Sequence, residues 1–265
     1  MGVNVNIWNL MNSMRSVTRW QEVINSNVNG ALKNGYKEAD ISFGGNTVYN
    51  LVSPTLTSYG KSVAEQSISI GYTRNIWKQG DLLPKQGDTD YAVRGEGFFM
   101  LTEQDPQTVG GQKIFYTRNG KFHIDYSLGA ANPRLRTDNG LFVVDRFAAK
   151  FQGLIAGAPT AADAITNNIS DVTRLALGRP AALDNFTYSK YGSTIYENII
   201  NNNNIYDLPE QNDMGNIIQN TLEASNVNMA KQITALSSSK QLSEAITKQF
   251  LVFYKNIDIG IELIK

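Results

Sequence analysis

Few side chains in this 265-residue sequence could carry covalent or metal chemistry. His123 is the only histidine, and there is no cysteine. That removes thiol catalysis, Cys-ligated zinc, disulfides and any multi-histidine metal site, and a Ser-His-Asp triad would rest entirely on His123. Alternation along Lys121-Phe122-His123-Ile124-Asp125 sets His123 opposite Phe122 and Ile124, as a solvent-facing or hydrogen-bonded strand histidine. Asp88 and Asp90 could open a calcium loop, but Tyr91-Ala92-Val93 brings neither the later oxygen ligands nor the sixth-position glycine, so the pair reads as an Asp-capped turn. Gly95 and Gly97 raise the question of a phosphate loop. A dinucleotide loop would need a third glycine where Met100 stands and a helix where Phe98-Phe99-Met100-Leu101 reads as a strand. No Gly-Lys-Ser or Gly-Lys-Thr occurs either. The two glycines are expected to permit a tight turn or close strand approach, with one of Phe98 and Phe99 in a β core and the other covering the opposite face. No catalytic, cofactor-binding or metal residue is assigned, and no cofactor is expected.

Basic and acidic residues balance at 24 each, which argues against nucleic acid and anionic membrane surfaces as partners. The start of the chain lacks a charged region followed by an apolar run, so no cleavable secretory signal is expected, and no run approaches the roughly 18 apolar residues of a membrane span. The expectation is a chain that stays in the cytoplasm or leaves by a route needing no cleaved signal. Freedom from cysteine also suits a chain exported unfolded.

The elements that would position these residues fall into an α+β pattern. Leu10, Met14, Val17, Ile24 and Val28 recur at helical spacing over about 4–29, ahead of turn chemistry at Asn29-Gly30 and Asn34-Gly35. Leu242, Ile246, Phe250, Phe253, Ile257, Ile261 and Ile264 mark a second amphipathic helix, expected over about 222–262. Each helix could pack on a globular body, or the two could pair in a coiled-coil-like bundle with each other or with neighbouring copies. A helix of about 40 residues would be roughly 60 Å long, which favours pairing. Between the helices, short alternating segments bounded by Gly, Asn, Asp and Pro predict a mainly antiparallel β domain. Asn119-Gly120 is expected to form a type I′ hairpin turn, and Asn201–Asn204 a loop.

Several of these segments carry a more specific pattern. Gln79-Gly80-Asp81-Leu82, Asp90-Tyr91-Ala92-Val93-Arg94-Gly95-Glu96-Gly97-Phe98-Phe99 and Tyr116-Thr117-Arg118-Asn119-Gly120-Lys121-Phe122 follow one another in order. Asn25-Ser26-Asn27-Val28-Asn29 with Asn34-Gly35-Tyr36-Lys37 stands before them, and Leu222-Glu223-Ala224-Ser225-Asn226-Val227-Asn228 after them. Together they resemble the flagellar rod and hook family of bacterial axial proteins. Departures such as Asn220, where the family commonly has Gly, bear on the choice among members rather than on the family.

The resemblance implies a core domain of paired terminal helices from residues 1–40 and 215–265, an extended connector over 41–80 and a β-rich outer domain over 81–214. It implies a structural subunit that passes unfolded through the flagellar type III export apparatus and polymerises with itself and with other rod and hook proteins in the basal body. The assembly interface would comprise Leu10, Met14, Val17, Ile24, Val28, Leu222, Asn226, Val227, Leu242, Ile246, Phe250, Phe253, Ile257 and Ile261. Gly95, Gly97, Phe98, Phe99, Asn119 and Gly120 would be structural. The alternative of a different class is an orphan β-domain enzyme or carbohydrate-binding module, which convergent acidic residues in a pocket would mark.

Overall fold

A computed structural model describes residues 2–45, 48–51, 62–65, 67–127, 133–160, 174–180, 182–199, 205–211 and 213–263. The tract Asn201–Asn204 lies outside the described residues. Along the chain run α1 (Gly2–Gly30), β1 (Ala39–Gly45), β2 (Val48–Leu51), β3 (Ser62–Glu65), β4 (Ile68–Asn75), β5 (Leu82–Pro84), β6 (Tyr91–Arg94) and β7 (Phe98–Thr102). There follow β8 (Phe115–Thr117), β9 (Phe122–Asp125), β10 (Arg134–Thr137), β11 (Phe142–Val143), α2 (Arg146–Phe151), β12 (Leu177–Arg179), β13 (Phe186–Ser189) and β14 (Gly192–Asn198). Last come β15 (Ile205–Asp207), β16 (Asn216–Gln219), β17 (Thr221–Glu223) and α3 (Met229–Glu262).

The chain divides into two compact units. One comprises Met1–Asn29, Ala39–Ile76 and Asn228–Lys265; the other comprises Gly30–Glu38 and Trp77–Val227. In the first, which also holds α1 and α3, β1 pairs antiparallel with β4, and β2 with β3. Trp20 on α1 meets Phe43 on β1 edge to face at 5.1 Å, and Ser13 Oγ accepts the Ile68 N–H at 3.1 Å. One apolar and one polar contact thus hold the ribbon on the helix.

The second unit is built on an antiparallel sheet in the order β13-β14-β8-β7-β11-β10-β9, with β12 on β7 and β15 on β12. Two further pairs, β6 with β16 and β5 with β17, bring the far end of the unit's chain back to its start. Alternation along β7 produces two cores. Phe99 and Leu101 join Tyr91, Phe115, Phe122 and Leu177 on one face. Phe98 and Met100 join Tyr116, Val144, Phe186 and Tyr196 on the other, so both phenylalanines are buried, on opposite sides.

Two local expectations are corrected. The C-terminal helix begins at Met229 rather than near residue 222. Thr221–Glu223 form a strand on Leu82–Pro84, the Asn226 amide bonds to the Lys78 carbonyl and the Glu38 N–H, and only Asn228, which accepts from the Lys231 N–H, caps a helix. A side chain committed to non-local backbone competes with helix formation. Asn119-Gly120 is also no hairpin turn, since β8 pairs with β7 and β14 while β9 pairs with β10. Asn119 Oδ1 accepts the Lys121 N–H, and Gly120 accepts the Tyr91 N–H at 2.9 Å. A methyl at Gly120 would strike the Tyr91 carbonyl, so this glycine serves close backbone approach, not a left-handed turn. A tight hairpin lies two connections later, at Asp138-Asn139-Gly140 between β10 and β11, with Gly140 at φ +82°.

Candidate functional site

The motifs that stand apart in the sequence meet in one buried junction of the second unit. Glu223 on β17 is fully buried. Its Oε1 accepts from Lys37 Nζ at 2.5 Å and from the Gly80 N–H at 2.9 Å, and its Oε2 faces an Arg118 terminal nitrogen at 3.3 Å. Arg118 also donates to the Val93 and Gly95 carbonyls and lies 4.9 Å above the Phe98 ring. Gln79 completes the frame by accepting the Gly95 N–H and donating to the Val93 carbonyl, each at 3.0 Å.

Glycines let these strands touch. Gly35, at φ +68°, donates to the Glu223 carbonyl at 2.7 Å, and a side chain there would run into the Arg118-Asn119 backbone. A side chain at Gly80 would meet the Ala224 carbonyl. Gly95 and Gly97 have φ of +102° and +112°, which bends the chain between β6 and β7. Burial pushes both the Lys37 ammonium and the Arg118 guanidinium below their ordinary values, and the Glu223 carboxylate opposes the shift in each. Glu223 spends both oxygens on the chain itself, so the junction ties strands together rather than presenting a ligand site. Among the described residues, no group of three His, Asp or Glu could hold a metal ion, and His123 is half exposed beside Asp138.

The second candidate surface is the helical unit. Among the described side chains, those buried on α1 are Asn9, Ser13, Ser16, Val17, Ile24 and Asn27; those on α3 are Gln232, Ser239 and Ile246. Gln232, Ser239, Ile246 and half-buried Phe253 stand seven apart. The two helices meet at named points: Asn27 Nδ2 donates to Gln232 Oε1 at 3.3 Å, and Ser243 Oγ lies 3.8 Å from Met14 Sδ. Leu10, Met11 and Met14 with Ile246, Thr247 and Phe250 line an apolar recess of about 230 Å³.

The expected interface residues are therefore distributed unevenly. Val17, Ile24 and Ile246 are buried in the helical unit; Leu10, Val28, Leu242, Phe250, Phe253 and Ile257 are half buried, and Met14 and Ile261 are exposed. Leu222 is buried in the sheet unit, with Asn226 and Val227 half buried there. The apolar stripe read from the sequence missed the polar members of the buried helix faces, Asn9, Ser13, Ser16, Asn27, Gln232 and Ser239. It also missed the buried charges. Their signal was available, since Lys37, Arg118 and Glu223 each stand inside one of the quoted motifs.

No family model matches the chain. Among curated proteins it is 28% identical over 238 residues to the flagellar basal-body rod protein FlgF of Caulobacter vibrioides, covering 88% of this chain and 86% of that protein. It is 24% identical to the flagellar basal-body rod protein FlgG of Buchnera aphidicola subsp. Baizongia pistaciae, over 85% and 86% of the two chains. FlgG of Agrobacterium fabrum is likewise 24% identical, over 86% and 87%. The relatives bear the name of the family that the motifs resemble, and the chain is a homologue of the flagellar basal-body rod proteins.

Proposed function

We propose that the chain is a structural subunit of the bacterial flagellar basal-body rod, and not an enzyme. It polymerises helically through its terminal helices, with copies of itself and with other rod and hook proteins, into the drive shaft of motility. The observation that carries this reading is the far half of α3. Leu251, Val252, Tyr254, Ile259 and Ile261 are between 48 and 63% exposed there, on a helix that also offers half-buried Phe250, Phe253 and Ile257. Burying a side chain of this size contributes roughly 1.5–3 kcal/mol, so a few such positions suffice to order subunits on assembly.

In the same reading α1 and α3 pair antiparallel as a coiled coil, which the contacts of Asn27 with Gln232 and of Met14 with Ser243 support. Head-to-tail contacts whose rotation does not close then extend a filament rather than a ring. In this reading the subunit reaches the periplasm-spanning rod through the type III export apparatus. A single β-rich unit in 265 residues suits the distal rod protein FlgG, while the 28% relative supports FlgF, the proximal rod protein, as the second reading. A short hook-type subunit is less well supported, because the relatives reported are rod proteins.

A tagged copy located in isolated basal bodies tests the reading and separates the two rod positions. Deletion of residues 242–265 is expected to abolish incorporation and swimming while the sheet unit stays protease resistant. Normal swimming of that strain overturns the proposal.

A further inference from the structure

We propose that Asn27 and Gln232 set the register of the terminal helix pair, an inference that rests on the pairing put forward above. The buried face of α3 is poor in apolar residues over its first half. Gln232 and Ser239 occupy the positions that Ile246 and Phe253 occupy further along, seven residues apart throughout. The opposing face of α1 contributes Asn9, Ser13, Ser16 and Asn27 along with Val17 and Ile24. Small and polar side chains at repeat positions give little penalty for a slip of one heptad, because each layer resembles the next. A buried polar pair is a known means of choosing one register in such a seam.

Asn27 is built for that choice. Its Oδ1 accepts the Ala39 N–H at 2.9 Å and its Nδ2 donates to the Ala39 carbonyl at 2.8 Å, so the start of β1 fixes which way the amide points. The second N–H of that nitrogen is directed at Gln232 Oε1. Asn27 therefore offers α3 a donor in one fixed place, which Gln232 answers in the observed register. Both side chains are buried, 2% exposed for Asn27 and 3% for Gln232, where an unanswered donor is costly and its loss in a slipped register is felt. Asn228 caps α3 one turn before Gln232, which ties the register to the point where the helix starts.

The absence of cysteine allows a direct test on the full chain. Met14→Cys is combined with Ser243→Cys for the observed register, or with Leu236→Cys or Phe250→Cys for slips of one heptad, and a short thiol crosslinker reports the yields. In the otherwise native chain the observed register is expected to dominate, and Gln232→Met, similar in volume but without the acceptor, is expected to raise the slipped yields relative to it by about tenfold, the upper range for one hydrogen bond. Ser239→Ala is the control, since the Ser239 hydroxyl bonds within its own helix to the Leu236 carbonyl, and it is expected to leave the yields unchanged. An unchanged register in Gln232→Met, or equal slippage in Ser239→Ala, overturns the proposal. Loss of the in-register product without gain of a slipped one also counts against it. No crosslink in any register of the native background would instead refute the pairing itself.

Discussion

Lys37 and Glu223, 186 residues apart in sequence, form a 2.5 Å ion pair in which neither side chain is more than 1% exposed. Arg118 adds a second cation to the same carboxylate. One buried anion thus serves two buried cations, brought in by the segments after α1, after β8 and at β17. Such a cluster is weak evidence for net stability, but removing its centre leaves charge uncompensated inside the protein.

Glu223→Gln is therefore expected to destabilise the sheet unit by about 3–5 kcal/mol, the usual cost of breaking a buried ion pair. Urea denaturation followed by tryptophan fluorescence would measure it, with Trp77 packed edge to face on Phe98, Phe186 and Tyr196 as the reporter. A change within 0.5 kcal/mol, the range for ordinary surface substitutions, would show that the cluster does not hold the unit together.

Gly120→Ala should cost at least 1–3 kcal/mol, as overpacking does, because the added methyl meets the Tyr91 carbonyl, part of the backbone. Gly111→Ala is the contrast: nothing lies within 4 Å of its added methyl, and only its φ of +68° resists the change. Thermal unfolding should rank Gly120→Ala as the more damaging of the two. The reverse order would restore the turn reading of Asn119-Gly120.

That glycine also shows where the sequence was legible. Periodicity revealed both helices, and alternation revealed β6, β7, β9 and the opposite facing of Phe98 and Phe99, because each depends on neighbours within a few positions. Asn119-Gly120 carries a strong local turn signal, yet the constraint on Gly120 comes from Tyr91, on a different strand. Likewise, Leu222 and Glu223 continue an apolar helical pattern in sequence, while their pairing with β5 makes them strand. The junction was visible only as separate motifs, because Glu223 earns its meaning from Lys37, Gly80 and Arg118 together. On the helices, Asn27 and Gln232 escaped notice because a search for apolar periodicity passes over polar residues at core positions.

Alkaline pH should weaken the sheet unit. Burial raises the hydroxyls of Tyr91, Tyr116 and Tyr196 above the ordinary 10.0, and it lowers Lys37 below 10.5. Between the lowered value and 10.5 the unfolded chain holds the lysine proton that the fold gives up, so that group adds stability as pH rises. Above 10.5 its effect is complete. The tyrosines act in the opposite sense, since above pH 10 the unfolded chain loses protons that the fold retains. Each then removes about 1.4 kcal/mol per pH unit. Denaturation midpoints should fall steadily above pH 10.5, and Tyr116→Phe should reduce the slope by about a third. A midpoint independent of pH between 10.5 and 12 would contradict this account.

Leu251 and Val252, 63% and 61% exposed on α3, offer a test that separates folding from the proposed assembly. Replacing both by serine removes apolar surface that the isolated subunit leaves in water, so its stability should change by no more than about 0.5 kcal/mol per site, as for other surface positions. If the same surface is buried between subunits, the loss on assembly is roughly 1.5–3 kcal/mol for each residue, repeated at every copy along the filament. The double variant should therefore fold and be exported normally yet fail to incorporate into basal bodies, and cells that depend on it should not swim. Circular dichroism of the purified chain and immunoblots of isolated basal bodies read the two effects separately. Wild-type incorporation would remove this face from the assembly interface, and unfolding of the isolated chain would show that the face is buried within the subunit.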